Sequence, residues 1–183
     1  MKATGIVRRI DDLGRIVIPK EIRRTLRIRE SDPLEIFTDR EGEIILKKYS
    51  PIGEMTTFAK QYAESLAQVS GHAALICDRD QFIAVSGGFK AYMGKEISKQ
   101  LEEAITERNT IMDSKGDRNF IPIVQTSVSS DDFAHQAITP IICQGDVIGA
   151  VILIDSADKA KMGEVEHKLI MSAAGFLGRQ MEG

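Results

Sequence analysis

Nine basic side chains fall within the first 29 residues: Lys2, Arg8, Arg9, Arg15, Lys20, Arg23, Arg24, Arg27 and Arg29. Only Asp11, Asp12 and Glu21 oppose them there. Over residues 1–50 the count is twelve basic to nine acidic, and the rest of the chain carries the remaining twelve basic and eighteen acidic residues. The overall net charge of −3 therefore conceals a basic head on an acidic body. Such an asymmetry predicts that the head meets a polyanion. A guanidinium fork can donate two parallel hydrogen bonds to phosphate oxygens or to the O6/N7 edge of guanine. Arg8 and Arg15 flank one turn, and Arg23 and Arg24 lie on a helical turn after Pro19, so two copies of the head would present at least eight arginines.

Other chemistry is poorly represented. Asp78 and Asp80 share a turn, where aspartate also appears for local hydrogen bonding alone. No nucleophile, base and orienting group are grouped, and Gly87-Gly88 lacks the spacing of a phosphate-cradling loop. Catalysis is not expected. Cys77 and Cys143 are too few and too far apart for a disulfide framework or a paired zinc site, and each reads as a buried small hydrophobe. His72, His135 and His167 are scattered without ligand spacing, so no metal site is expected. No run approaches the ~20 apolar residues of a membrane span, and the N-terminus has no signal-peptide pattern. A cytoplasmic protein is expected.

The elements that must position the arginines are short. Residues 6–10 and 15–18 read as two strands around the turn Asp11-Asp12-Leu13-Gly14. Pro19 closes the second, because it cannot donate to a sheet ladder. Residues 20–26 put Ile22 and Leu26 on one helical face, with Arg23, Arg24 and Arg27 pointing away. Residues 34–37 and 43–46 read as two more strands joined by Asp39-Arg40-Glu41-Gly42. A unit this small, without disulfide or metal, buries too little apolar surface alone and leaves sheet edges bare. Dimerisation through intertwined hairpins is the expected remedy.

The boundary falls at Ser50-Pro51-Ile52-Gly53, giving a head of residues 1–52 and a second domain of residues 53–183. In the latter, a helix over 55–69 carries Met55, Ala59, Tyr62, Leu66 and Val69 at 4-3-4-3 spacing. This fits either a short coiled-coil seam or a helix packed on its own domain. Strands follow over 73–77 and 82–85, then a helix over 98–108. The stretch 109–132 is polar and poorly periodic apart from 120–124. Two long apolar strands, 137–143 and 147–154, precede a helix over 161–181 that is apolar at Met162, Val165, Leu169, Ala173, Phe176 and Leu177. The pattern predicts an antiparallel sheet with helices on one face and a loop-covered pocket on the other.

Residues 4–26, from Thr4-Gly5-Ile6-Val7-Arg8-Arg9-Ile10 through Ile18-Pro19-Lys20-Glu21-Ile22-Arg23-Arg24-Thr25-Leu26, closely resemble the AbrB-type swapped-hairpin family. Leu34-Glu35-Ile36 and Ile45-Leu46-Lys47-Lys48-Tyr49 continue the likeness to about residue 50. The second domain resembles a GAF sensory domain, most of all at Gly145-Asp146-Val147-Ile148-Gly149-Ala150-Val151-Ile152-Leu153-Ile154-Asp155, and a PAS-like domain fits that stretch equally well. The combined architecture resembles sporulation regulators of spore-forming bacteria. The resemblance implies two domains: an all-β swapped-hairpin barrel formed as an intertwined dimer, then an α+β GAF-like domain with an antiparallel sheet and flanking helices. It also implies that Arg8, Arg15, Arg23 and Arg24 contact DNA, with Lys2 and Arg9 as further phosphate contacts. Ser31 stands where many members have glycine, and serine does not enter positive φ cheaply.

The function implied is sequence-directed transcriptional regulation, as activator, repressor or both. A/T-rich promoter DNA is the expected partner, read largely through phosphates and DNA shape. Self-association is expected twice, as a dimer through the head and a tetramer through the C-terminal helices, with no membrane partner and with nucleoid association in the cytoplasm. No cofactor is expected. The signature of cyclic-nucleotide-binding GAF domains is missing, so residues 87–135 either wall a pocket for an unidentified small molecule or serve assembly alone. The alternative reading is an antitoxin-like module whose C-terminal region grips a toxin, although such tails are usually disordered and this one is patterned for a core.

Overall fold

The structure is a computed structural model that describes residues 5–125, 133–156 and 158–182. It divides into two compact units, Met1–Tyr49 and Ser50–Gly183.

In the first unit, α1 (Lys20–Thr25) starts directly after the buried Pro19 and ends in a Schellman-type cap. Ile28 N–H donates to Arg23 O (2.7 Å) and Arg27 N–H to Arg24 O (3.3 Å), with Arg27 at φ 51°. Strands β1 (Leu34–Thr38) and β2 (Ile44–Lys48) form an antiparallel hairpin, with Leu34 opposite Lys48 and Thr38 opposite Ile44. The turn before β1 is held by Asp32, whose side chain is only 4% exposed. Its carboxylate accepts Arg29 N–H at 2.8 Å and lies 3.5 Å from Lys48 Nζ, which also donates to Arg27 O. Ser31, in that turn, sits at φ 65°, the conformation that disfavours any side chain.

The two strands expected over 6–10 and 15–18 belong to no ladder in the single chain. Their turn is nevertheless closed: Asp11 N–H donates to Arg15 O and Gly14 N–H to Asp11 O, both at 3.0 Å. No ladder joins these arms to each other or to the β1–β2 hairpin within the single chain. The apolar residues that should form the core lie open as well. Val7 is 85% exposed, Val17 72% and Ile36 67%, with Ile10, Leu26, Ile44 and Leu46 also exposed.

The second unit forms its own core among the described residues. Two helices, α2 (Pro51–Glu54) and α3 (Thr56–Ser70), lead into β3 (Ala73–Cys77) and β4 (Phe82–Ser86). Then come α4 (Lys99–Thr106), β5 (Ile111–Ser114), β6 (His135–Cys143), β7 (Asp146–Asp155) and α5 (Glu164–Gln180). The five strands form one antiparallel sheet in the order β4-β3-β7-β6-β5. All five residues of β3 are buried, and β7 is buried from Ile148 to Ile154, as befits central strands covered on both faces. One face packs against α3 and α5 through Ala59, Ala63, Leu66, Ile170, Ala173 and Leu177. Contact is closest at Gly178, where an added Cβ would stand 2.1 Å from Ile142 O.

The opposite face, expected to carry a loop-covered pocket, carries a helix as well, and residues 126–132 of the expected wall lie outside the described residues. Helix α4 lies on it through Leu101, Ala104 and Ile105, and Phe82, Ile123 and Phe133 fill the space beneath. Gln136, in β6, belongs to the same layer; in the orientation that satisfies both its groups, its amide pairs with both backbone groups of Ile121. Strand β5 arises inside the stretch that reads as polar and aperiodic. Its single fully apolar buried position, Ile111, pairs with Ile138. Of the periodic positions on α3, Ala59 and Leu66 bury against the sheet while Val69 is 72% exposed. The helix thus packs on its own domain. On α5 the buried line runs through Ile170, Ala173, Ala174 and Leu177, leaving Val165 and Phe176 exposed. Cys77 is buried, and that burial together with the neighbouring Asp78 charge pushes its thiol far up; Cys143 is only half-buried.

Candidate nucleic-acid interface

The first unit presents five of the expected contact residues on three local structures: the arm over residues 6–10, the 11–15 turn and α1. The turn follows from Asp11-Asp12-Leu13-Gly14-Arg15. Asp11 Oδ1 accepts the N–H groups of Leu13 (3.0 Å) and Arg15 (2.7 Å), and Gly14 takes φ 76°. The same device recurs at Asp39-Arg40-Glu41-Gly42-Glu43. There Asp39 Oδ1 accepts Glu41 and Glu43 N–H at 3.0 and 2.9 Å, Asp39 N–H donates to Glu43 O, and Gly42 takes φ 85°. An aspartate oxygen that replaces missing backbone acceptors, and a glycine that enters positive φ without strain, build both turns. The second carries a paired hairpin on its arms; the first carries arms without a ladder.

Arg15 follows its turn and is held by it. Its Nε donates to Asp11 Oδ2 at 2.8 Å, while the side chain remains 70% exposed. Hydrogen bonds from the Arg15 backbone and guanidinium hold the Asp11 carboxyl below the usual aspartate range. Arg8 and Arg9 are exposed on the preceding arm, where Arg8 Nη1 donates to the Val7 carbonyl at 3.2 Å. Arg24 is exposed on α1 and Arg23 is half-buried. Both lie in the last turn of α1, where a cation is favoured by the helix dipole. Lys2 lies outside the described residues. The arm, the turn and α1 thus carry five of the six expected contact residues in one unit, each of them exposed or half-buried. Sequence reading passed over two carboxylates: Asp11, which orients Arg15, and Asp32, which fixes the turn between α1 and β1. For Asp11 a signal existed in the repeat of Asp-x-x-Gly at residues 11–14 and 39–42.

The second unit offers less chemistry. Asp78 is buried; its Oδ1 accepts Asp80 and Gln81 N–H, and its Oδ2 accepts Ser50 Oγ–H. Desolvation pushes its carboxyl above the usual aspartate range despite these donors. All of its bonds serve the β3–β4 turn and the start of α2. His135 is buried between Ser114 Oγ and Lys159 O, a satisfied core histidine. His72 joins Asp155 (2.6 Å) and Glu166 (3.5 Å), tying β3, β7 and α5 together. Among the described residues no cluster of three His, Cys, Asp or Glu could hold a metal ion, and no helix is long and apolar enough to cross a membrane. An open, polar groove of about 740 Å³ runs beside α4 and β5, lined by Gln100, Glu103, Glu107, Asn109, Asp113 and Arg118. Part of the expected 87–135 wall, residues 126–132, lies outside the described residues.

Comparison with known proteins covers both units. Residues 54–182 match the family described as stage V sporulation protein T C-terminal, transcription factor. Residues 7–54 match the family described as antidote-toxin recognition MazE, bacterial antitoxin. The chain is 57% identical over 183 residues to stage V sporulation protein T of Bacillus subtilis (strain 168), covering 100% of this chain and 99% of the relative. It is 46% identical over 101 residues to the transition state regulatory protein AbrB of the same organism, covering 55% of this chain and 85% of the relative. Among solved structures, the GAF domain from Acinetobacter phosphoenolpyruvate-protein phosphotransferase matches with a TM-score of 0.56 at 9% identity, over 74% of this chain and 84% of that one. That likeness establishes the second unit as a GAF-type fold.

Proposed function

The chain belongs to the stage V sporulation protein T family, and from that membership we propose a DNA-binding transcriptional regulator of sporulation genes, acting as activator, repressor or both. Residues 1–52 serve as the DNA-binding head and residues 53–183 as the domain that modulates assembly or senses a small molecule. Arg8, Arg15, Arg23 and Arg24 contact DNA, with Lys2 and Arg9 adding phosphate contacts. The observation that carries this reading is the exposed or half-buried arginine set on an arm, a turn and a helix of a unit whose apolar side chains are also exposed. A dimer would bury the apolar residues and double the arginines. The partner is double-stranded DNA, A/T-rich and deformable, consistent with a contact set dominated by phosphate-binding side chains. The protein works in the cytoplasm, associated with the nucleoid, and has no catalytic role.

Two associations support the assembly. The head dimerises through residues 6–18 and the β1–β2 hairpin. The outer face of α3 and α5 then joins dimers into a tetramer, because Phe58, Tyr62 and Phe176 cluster there with centroids 5.4 to 6.2 Å apart while Phe176 remains 39% exposed. The antitoxin alternative, which the match of residues 7–54 raises, is disfavoured by the second unit: the region that would grip a toxin is a folded five-stranded domain.

The test is fluorescence-anisotropy binding of the intact chain to an A/T-rich promoter duplex over a salt series, against Arg8→Ala/Arg23→Ala. Expected is binding that weakens steeply with salt, log K falling by roughly 0.9 for each phosphate neutralised, and that largely disappears in the variant. Equal binding by both proteins would refute the DNA reading of the head.

A further inference from the structure

The two Asp-x-x-Gly turns provide an internal control. Both use Asp Oδ1 for the same pair of backbone N–H groups and both close with the same backbone bond. Oδ2 is therefore not needed to make the turn. At Asp39 the fifth residue is Glu43, which offers no side-chain donor. At Asp11 the fifth residue is Arg15, and Oδ2 accepts its Nε at 2.8 Å. The carboxylate is already fixed by two backbone bonds, so gripping Nε costs rotamer freedom on the arginine side alone.

Which face of Arg15 is left matters. With Nε engaged, the side-on face of the guanidinium is blocked, and the two terminal nitrogens remain as an end-on fork on a side chain 70% exposed. The Asp11–Arg15 pair is formally neutral, so it adds little to the counterion release that drives phosphate binding. Its fork still matches the paired acceptors O6 and N7 of guanine in the major groove. Arg8, Arg9 and Arg24, exposed and without a carboxylate bonded to them among the described contacts, keep their full charge for phosphates.

We propose that Asp11 is a positioning residue that aims Arg15 at a guanine edge, making Arg15 a base-reading residue in a head whose other arginines bind backbone. The proposal rests on the DNA-binding reading above. It separates specificity from affinity: Asp11 contributes to the first and slightly opposes the second, since its charge repels phosphate.

The experiment uses the intact chain and a duplex selected by that chain from a random-sequence pool. Each guanine in the selected sequence is replaced in turn by 7-deazaguanine, which lacks the N7 acceptor and keeps Watson–Crick pairing. Wild type should lose roughly tenfold in affinity at one guanine per half-site, the value of a bidentate contact. Asp11→Asn keeps an oxygen for the turn and removes the grip on Nε. It should lose a similar factor on the natural duplex, show little further loss on the 7-deaza duplex, and bind a scrambled duplex within about twofold of wild type or tighter. Arg15→Ala should abolish the 7-deaza effect, and adding Asp11→Asn to it should change nothing. Asp39→Asn, the same change in the turn without an arginine, should leave discrimination intact. The proposal is overturned if Asp11→Asn keeps the wild-type discrimination, weakens binding to selected and scrambled duplexes alike, or acts equally in the Arg15→Ala background. A selected sequence with no sensitive guanine also overturns it. Failure of the wild type to bind any duplex overturns the DNA reading itself, a distinct result.

Discussion

The two units of this chain solve the problem of burial differently. In the second, the apolar residues of β3, β7, α3 and α5 meet one another within the chain, and the largest side chains are closed off from solvent. In the first, Pro19 is the only described residue before Tyr49 that is buried, and five apolar positions between Val7 and Val17 stand open. The same kind of residue, a β-branched or leucine side chain on an extended segment, is core in one unit and surface in the other. The difference fits the proposed intertwined dimer: the segments 6–10 and 15–18 are rich in apolar residues, yet they join no ladder within the single chain. A hairpin with one face bare is marginal in water unless something covers it.

Breaking the first unit's open face should have the largest effect. Leu46→Asp places a charge in the proposed dimer core. It should abolish DNA binding and leave the head unfolded, with the melting of the second unit unchanged, as two-transition calorimetry or circular dichroism of the intact chain would report. Uncompensated burial of a charge exceeds the few kcal/mol that a head of this size has to spare. The converse change attacks the second unit. Gly178→Ala drives a Cβ against the Ile142 carbonyl and should cost about 1–3 kcal/mol there, despite the better helix propensity of alanine. Gly175→Ala on the same helix meets nothing within 4 Å and should stabilise by about 0.5–1 kcal/mol. Urea titration of the three proteins checks both signs.

The smaller effects sharpen the contrast. Asp78 has its folded pKa raised by burial, so the folded state holds its proton more tightly than the unfolded state does. Stability of the second unit should therefore fall as pH rises from the ordinary aspartate range through the raised value, the opposite of a salt-bridged carboxylate. Asp78→Asn, which retains an oxygen for Asp80 and Gln81 N–H, should flatten that dependence and lose no more than about 1 kcal/mol at neutral pH. In the head, Ser31 sits at φ 65°. Ser31→Gly should raise head stability by about 0.5–1 kcal/mol, seen as a higher melting temperature of the first transition alone.

Much of this contrast was legible in the residues. The basic head, the turn residues, the helix after Pro19 and the long strands β6 and β7 all follow from local pattern and punctuation. Three features were not. Strand β5 has one buried apolar residue and two half-buried ones, Met112 and Asp113; it exists because β6 offers an edge some twenty residues away, a non-local cause that no window sees. The 4-3 spacing on α3 is equally good for a seam and for a sheet-facing stripe, and Ala59 and Leu66 show that the sheet takes it. The packing of α4 on the second face of the sheet, with Ile123 and Phe133 beneath it, is likewise set by tertiary contacts rather than by local pattern. At the site, exposure of the arginines could be expected from their charge. The Asp11 grip on Arg15 could have been expected only by comparing the two turns with each other.

The most direct test of the account is amide hydrogen exchange on the intact protein, read at residues 6–10 and 16–18. A single chain gives these amides no ladder, while an intertwined dimer gives them one, so protection should be strong and should vanish in Leu46→Asp with β3 and β7 still protected. Exchange of residues 6–18 at the rate of an unstructured peptide in the wild-type protein would contradict the claim that a second copy completes the head.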